Sequence, residues 1–134
     1  MTRLPETTRQ QVRVRSNGRC EYCREPHNLS SFGFHADHII SQKHGGTNDL
    51  ENLAWACPPC NILKGTDVAS YDAETGELTP LYNPRKDQWN DHFELVGDVI
   101  TGRTSVGRVT VRILEMNDPE KVETRRFLIQ AGEW

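Results

Sequence analysis

The sequence is short of several things that would each have pointed elsewhere. In its 134 residues no apolar run approaches the roughly 20 needed to span a bilayer, so no membrane partner is expected. The first five residues, Met1 to Pro5, have no apolar core of the secretory kind, and the cytoplasm is the expected compartment. Internal repeats and low-complexity segments are missing as well. With 35% hydrophobic residues, one domain with a modest core is expected. An excess of basic charge is also lacking: 16 Lys and Arg face 19 Asp and Glu, a net charge of -3. Phosphate binding draws on clustered Lys and Arg, so the sum by itself argues against a nucleic-acid partner. Distribution qualifies the sum. Residues 1–24 hold six arginines against two glutamates, whereas residues 71–134 hold eight basic against twelve acidic residues. A basic face is therefore available near the N-terminus, with a solvated helix surface as the equal alternative.

Pro5 suits the first turn of a helix that runs through Val12 and Val14 and stops at Asn17 and Gly18. Residues 32–40 have the composition of a strand, followed by a polar loop through Lys43, His44, Gly45 and Gly46. Asp49 to Leu53 reads as a short turn or helix, Leu53 to Cys57 as a brief apolar strand, and Pro58 as the start of a helix through Lys64. Beyond Gly65, Asp72 to Gly76 is turn-like and Pro80 to Pro84 is expected to run extended over the surface. A hairpin around residues 93–100 and two short helices complete the chain. Val106, Val109, Ile113 and Leu114 share a face of the first helix, and Asp118 with Pro119 starts the second.

Only four cysteines are present, in two tight pairs, Cys20-x-x-Cys23 and Cys57-x-x-Cys60. In a reducing compartment this spacing predicts a tetrahedral zinc site rather than disulfides. Four protein ligands leave no open position, so the zinc is structural. In zinc peptides such binding supplies roughly 10–16 kcal/mol, enough to offset a small core. The 33 residues between the pairs exceed a simple zinc ribbon, and they hold most of the titratable residues of interest.

Within and just after that insertion lie His35, Asp37, His38, Gly45, Gly46, Asn52 and, following the last cysteine, Asn61 and Lys64. This order, interleaved with both cysteine pairs over residues 20–65, closely resembles the zinc-stapled branch of the HNH endonucleases, of bacterial or phage type. The resemblance implies an α+β fold with a ββα-metal (HNH, or His-Me finger) core, a zinc knuckle pair and a mainly helical C-terminal wrap. A single HNH domain would then fill residues 1–134, with an N-terminal helix over 1–19, the zinc-stapled core over 20–68 and an extension over 69–134.

Carried over residue by residue, the resemblance implies His38 as general base and Asp37 and Asn61 as protein ligands of one catalytic divalent cation. Asn52 would brace the loop and orient His38. The last motif position, histidine in many relatives, is asparagine here and still offers an oxygen ligand.

The residue types suit the reaction. Neutral imidazole accepts a proton near physiological pH, and a backbone carbonyl near Asn52 is the expected group fixing which ring nitrogen faces water. A carboxylate and an amide oxygen form a hard, incomplete ligand set that suits Mg2+ or Mn2+. Neighbours on a strand point to opposite faces, so Asp37 and His38 require a bulge or a strand end if both are to meet one substrate. His35 is either an accessory ligand or phosphate contact, or a packing residue. Lys64 either approaches a substrate phosphate or is solvated at the helix end. His44 is expected in solvent, and His27 and His92 are read as structural or surface residues.

The resemblance implies DNA as the nucleic acid, hydrolysed to 5′-phosphate and 3′-hydroxyl ends, nicked by a monomer or cut on both strands by a homodimer. The rivals are a zinc-stabilised binding module without cleavage, and a nuclease for RNA or branched substrates. Residues 83–93 and 102–110 look like the tail of some bacterial HNH proteins. Trp89 and Phe93 are expected to pack as a pair, and Arg103, Arg108 and Arg112 to form a salt-bridged surface rather than a DNA contact.

Overall fold

The structure, a computed structural model, describes residues 4–26 and 33–134. The expected start of the first strand at Phe32, and His27, lie outside the described residues. Contacts cluster into two compact units, Met1–Thr66 and Asp67–Trp134, where the sequence suggested one domain in three parts.

In the first unit, helix α1 spans Glu6–Arg15, with Pro5 in extended conformation as its cap residue. Glu6 in the first turn and Arg13 and Arg15 in the last complement the helix dipole. Asn17 and Gly18 both take positive φ, and the Gly18 amide donates to the Arg13 carbonyl at 3.0 Å, closing the helix end. Val12 is the buried anchor of α1, which lies against two strands.

Those strands are β1 (His35–His38) and β2 (Leu53–Ala56), antiparallel, with His35 opposite Ala56 and His38 opposite Leu53. All four β2 residues are buried, which explains their unbroken apolar run. The loop between the strands contains two single 3-10 turns, Gln42–His44 and Leu50–Asn52. The Arg15 guanidinium donates to the carbonyls of Leu50 and Leu53 at 3.0 and 2.6 Å, tying α1 to the end of this loop. Helix α2, Pro58–Lys64, follows with proline in its first turn and packs on β1.

The second unit differs more from expectation. It opens with an unforeseen hairpin, β3 (Ala69–Tyr71) and β4 (Leu78–Pro80), joined by the turn through Asp72 to Gly76. Helix α3 (Trp89–His92), the hairpin β5 (Phe93–Val96) and β6 (Val99–Gly102), and helices α4 (Ser105–Ile113) and α5 (Pro119–Gln130) follow. The extension thus combines two hairpins with three helices, and helix remains the larger part of its regular structure. It also has its own core of Phe93, Ile100, Val109, Leu114, Met116 and Leu128. Leu81 and Tyr82, expected on the surface, are buried, and the Tyr82 amide donates to Thr110 Oγ1 at 2.9 Å.

Trp89 packs on Phe93 with ring centroids 5.0 Å apart, although Phe93 begins β5 and is not helical. Gly107 is required by contact: a Cβ there would lie 1.9 Å from the His92 carbonyl oxygen. Arg108 pairs with Asp72 and Glu74, and Arg112 donates to the Tyr71 carbonyl, which occupies these two arginines within the unit. His92 meets Thr104 Oγ1 at 2.7 Å, and that oxygen also caps α4 through the Gly107 amide, a structural role as read from the sequence.

Candidate functional site

All four cysteines are buried, and their sulfur atoms lie within 4.8 Å of one another. Cys23 Sγ and Cys57 Sγ are 3.7 Å apart. Zinc–sulfur bonds of ~2.3 Å in a regular tetrahedron place sulfurs ~3.8 Å apart, whereas a disulfide requires ~2.05 Å. The cysteines are therefore positioned for a closed zinc site. Local folding brings them there. The Cys23 amide points at Cys20 Sγ (3.4 Å), and the Arg24 amide bonds the Cys20 carbonyl at 2.9 Å with Arg24 at positive φ.

The second pair comes from the end of β2 and the first turn of α2. Glu21 clamps the two together, its amide donating to the Trp55 carbonyl (2.7 Å) and its carboxylate accepting from the Trp55 amide (2.7 Å). Burial pushes the Cys20 thiol well up, and hydrogen bonding among the neighbouring thiols does the same for Cys60. These two thiols thus resist ionising without a cation, a cost that a soft divalent metal would offset by binding the thiolates.

Along β1 and next to the last cysteine is a cavity of about 470 Å³ lined by His35, Asp37, His38, Lys43, Asn61 and their neighbours. The difficulty that Asp37 and His38 point to opposite faces is met by a strand end: β1 stops at His38, and both residues reach the cavity without a bulge in the register. Asn61, one residue after the last cysteine, reaches it from α2. The structure therefore brings together Asp37, His38 and Asn61 in one cavity that His35 also lines.

Asn52 lies outside the cavity lining and acts as the loop's brace. Its amide donates to the carbonyls of Ile40 (2.9 Å) and Thr47 (2.8 Å), and its side-chain oxygen accepts from the Ile40 amide (2.9 Å). A backbone carbonyl near Asn52 is the group expected at the His38 ring; Asn52's own carbonyl accepts from the Ile39 amide at 2.9 Å. That ring instead meets Asn48, with Nε2 2.7 Å from Asn48 Oδ1. Gly46 lets the loop close: a Cβ there would fall 1.6 Å from the Ile40 carbonyl oxygen.

Lys64 is not solvated at the helix end. Its side chain is 2% exposed, with Nζ 3.2 Å from Asp37 Oδ2 and 2.9 Å from the His38 carbonyl oxygen. Tyr22, between the first two cysteines, donates its hydroxyl to the same Asp37 oxygen at 3.0 Å. Burial pushes the Asp37 carboxyl up, while the Lys64 ammonium and the Tyr22 hydrogen bond pull it back toward the ionised form. Tyr22 itself is held well up by burial and the adjacent carboxylate, and stays a phenol donor. Both donors sit on Oδ2, which leaves Oδ1 as the oxygen for another partner. Asn61 adds an amide oxygen in the same cavity, so the donor set is hard, incomplete and compatible with a small divalent cation. Neither Tyr22 nor Asn48 stood out in the sequence. The one signal was position, Tyr22 inside a knuckle and Asn48 two residues after the paired glycines.

Residues 20–67 match the family model of the HNH endonucleases. The resemblance carried by the motifs is thereby borne out over these residues, and the HNH family is one of metal-dependent nucleases acting on nucleic acid. Over 117 residues the chain is 26% identical to the Septu protein PtuB of Bacillus thuringiensis. That match covers 85% of this chain and 42% of the relative, so the chain spans less than half of the relative's length. No solved structure matches the chain. No described helix is long and apolar enough to cross a membrane.

Proposed function

We propose that the protein is a metal-dependent HNH endonuclease that hydrolyses DNA phosphodiester bonds, with β1, β2 and α2 as its ββα-metal core. The observation that carries this reading is the meeting of Asp37, His38 and Asn61 in one cavity inside the segment that matches the HNH model. His38 serves as general base, and Asp37 and Asn61 are the residues that would hold one catalytic Mg2+ or Mn2+. When bound, that cation supplies Lewis-acid stabilisation of charge on the phosphate and on the leaving oxygen. A ring nitrogen of His38 takes a proton from water, whose oxygen attacks phosphorus. The P–O3′ bond breaks, and the 3′ oxygen takes a proton from solvent, leaving 3′-hydroxyl and 5′-phosphate ends. Lys64 and Tyr22 hold Asp37 in place and oppose the effect of its burial, and Asn52 keeps the loop closed beside it. Zinc held by Cys20, Cys23, Cys57 and Cys60 would keep β2 and α2 attached to the N-terminal knuckle, a structural role apart from the chemistry. DNA is preferred to RNA on the family resemblance, which makes the substrate the part most in need of a test.

The test is a panel of supercoiled plasmid, linear duplex, single-stranded DNA and RNA, each with Mg2+ or Mn2+ and each with a chelator. Metal-dependent nicking or linearisation of plasmid is expected. Cleavage of RNA alone would overturn the substrate, and binding without cleavage in any arm would favour a zinc-stabilised binding module.

A further inference from the structure

The geometry points to Asn48 as the positioning residue that fixes the tautomer and the ring angle of His38, so that Nδ1 is the nitrogen that takes the water proton. The inference rests on the proposed nuclease reading for its catalytic consequence, though not for the tautomer itself. Asn48 Oδ1 lies 2.7 Å from His38 Nε2, and Gln42 Nε2 approaches the same oxygen at 3.3 Å. An amide oxygen only accepts, so two donors converge on it and the neutral ring carries its proton on Nε2. Nδ1 then holds the lone pair, and among the described residues no protein group bonds to it.

Asn48 is itself held firmly enough to do this. On its N-terminal side, the Gly46 amide bonds the Ser41 carbonyl (2.9 Å) and Asn52 Nδ2 bonds the Thr47 carbonyl (2.8 Å). On its C-terminal side, Asp49 is latched to Thr47 through Oγ1, by its amide at 3.3 Å and its carboxylate at 3.0 Å. The loop is therefore pinned on both sides of Asn48, and the imidazole is held from a fixed point. Gln42 adds a second hold on the acceptor oxygen from the neighbouring 3-10 turn. This assigns the orienting role to a side-chain amide, and gives the Asn52 brace its purpose: it sets the backbone that presents Asn48.

The experiment uses the zinc-loaded chain as wild type, Asn48→Leu and Asn48→Asp. Long-range 1H–15N correlation of the His38 ring at about pH 8.5, some two units above the ordinary histidine pKa, reads the tautomer directly without reference to activity. Wild type should show protonated Nε2. Steady-state cleavage should show kcat about 10–100-fold lower in Asn48→Leu with KM little changed, as for a misplaced general base. Asn48→Asp keeps the acceptor, and should recover most of the loss and the Nε2-protonated ring. Protonated Nδ1 in wild type, or Asn48→Leu cleaving as fast as wild type, would overturn the inference. Wild type that cleaves nothing in the substrate panel while keeping the Nε2 tautomer would sink the nuclease reading and leave the assignment of the ring standing.

Discussion

Lys64→Met removes the ammonium from beneath Asp37 while keeping most of the side-chain volume, so it isolates the buried ion pair. In the folded chain the Lys64 and Asp37 side chains are 2% and 6% exposed, with 3.2 Å between Nζ and Oδ2. Deleting one partner of such a pair costs about 3–5 kcal/mol, because the remaining charge is left in a poor solvent. The Lys64 bond to the His38 carbonyl is lost as well. Hydrogen exchange across residues 35–56, at saturating zinc and in the regime where closing outruns exchange, reads this opening locally and avoids assuming that both units unfold together. The expected acceleration is about 150–5000-fold. Adding Asp37→Asn removes the stranded charge, so the double variant should exchange more slowly than Lys64→Met alone. Exchange within about threefold of wild type, less than roughly 1 kcal/mol, would refute the view that Lys64 is an internal tie.

Gly46→Ala should destabilise the loop and depress cleavage, since its Cβ would meet the Ile40 carbonyl at 1.6 Å; thermal unfolding and plasmid nicking both report it, and an unaffected variant would show that the loop relaxes freely. Cys57→Ala should lose zinc by metal analysis and lose protection across residues 20–60, as a site worth roughly 10–16 kcal/mol in zinc peptides requires; a variant that retains both would defeat the structural-zinc assignment. In the second unit, hydrogen bonds from Arg108 hold the Asp72 carboxyl well below the usual carboxylate range. The unfolded chain therefore protonates Asp72 first, near pH ~3.9, and the stabilisation is complete above that pH and lost as pH falls toward the depressed native value. Acid titration of unfolding should show this loss in wild type and a flatter profile in Asp72→Asn; equal slopes would remove the ion pair from the account.

The site was legible in the sequence wherever a single residue type had to stand at a fixed step. The cysteine spacing needed no fold, and Pro58 and Lys64 bounded α2 correctly because proline and the following glycine punctuate a helix on local grounds. The requirement for a bulge or a strand end at Asp37 and His38 also followed from side-chain alternation alone, and β1 stops at His38. What escaped was set by tertiary contact. Lys64 at a helix end looks solvated until α2 is packed on β1, and Asn48 is one of several polar loop residues until the loop folds back over His38. The second unit was harder because its strands β3 and β4 are three residues each, too short for alternation to show. The buried Leu81 and Tyr82 follow a proline, a local signal for an exposed extended segment that the packing against Thr110 overrode.

Cleavage of supercoiled plasmid by wild type and His38→Ala, with Mg2+ and matched for zinc content and thermal stability, asks whether His38 and a divalent cation carry the chemistry. Wild type should nick or linearise the plasmid only with the cation present. His38→Ala should remain folded and zinc-loaded while losing about 10²-fold or more of the rate, as expected for loss of a general base. A His38→Ala protein that cuts as fast as wild type would contradict that role.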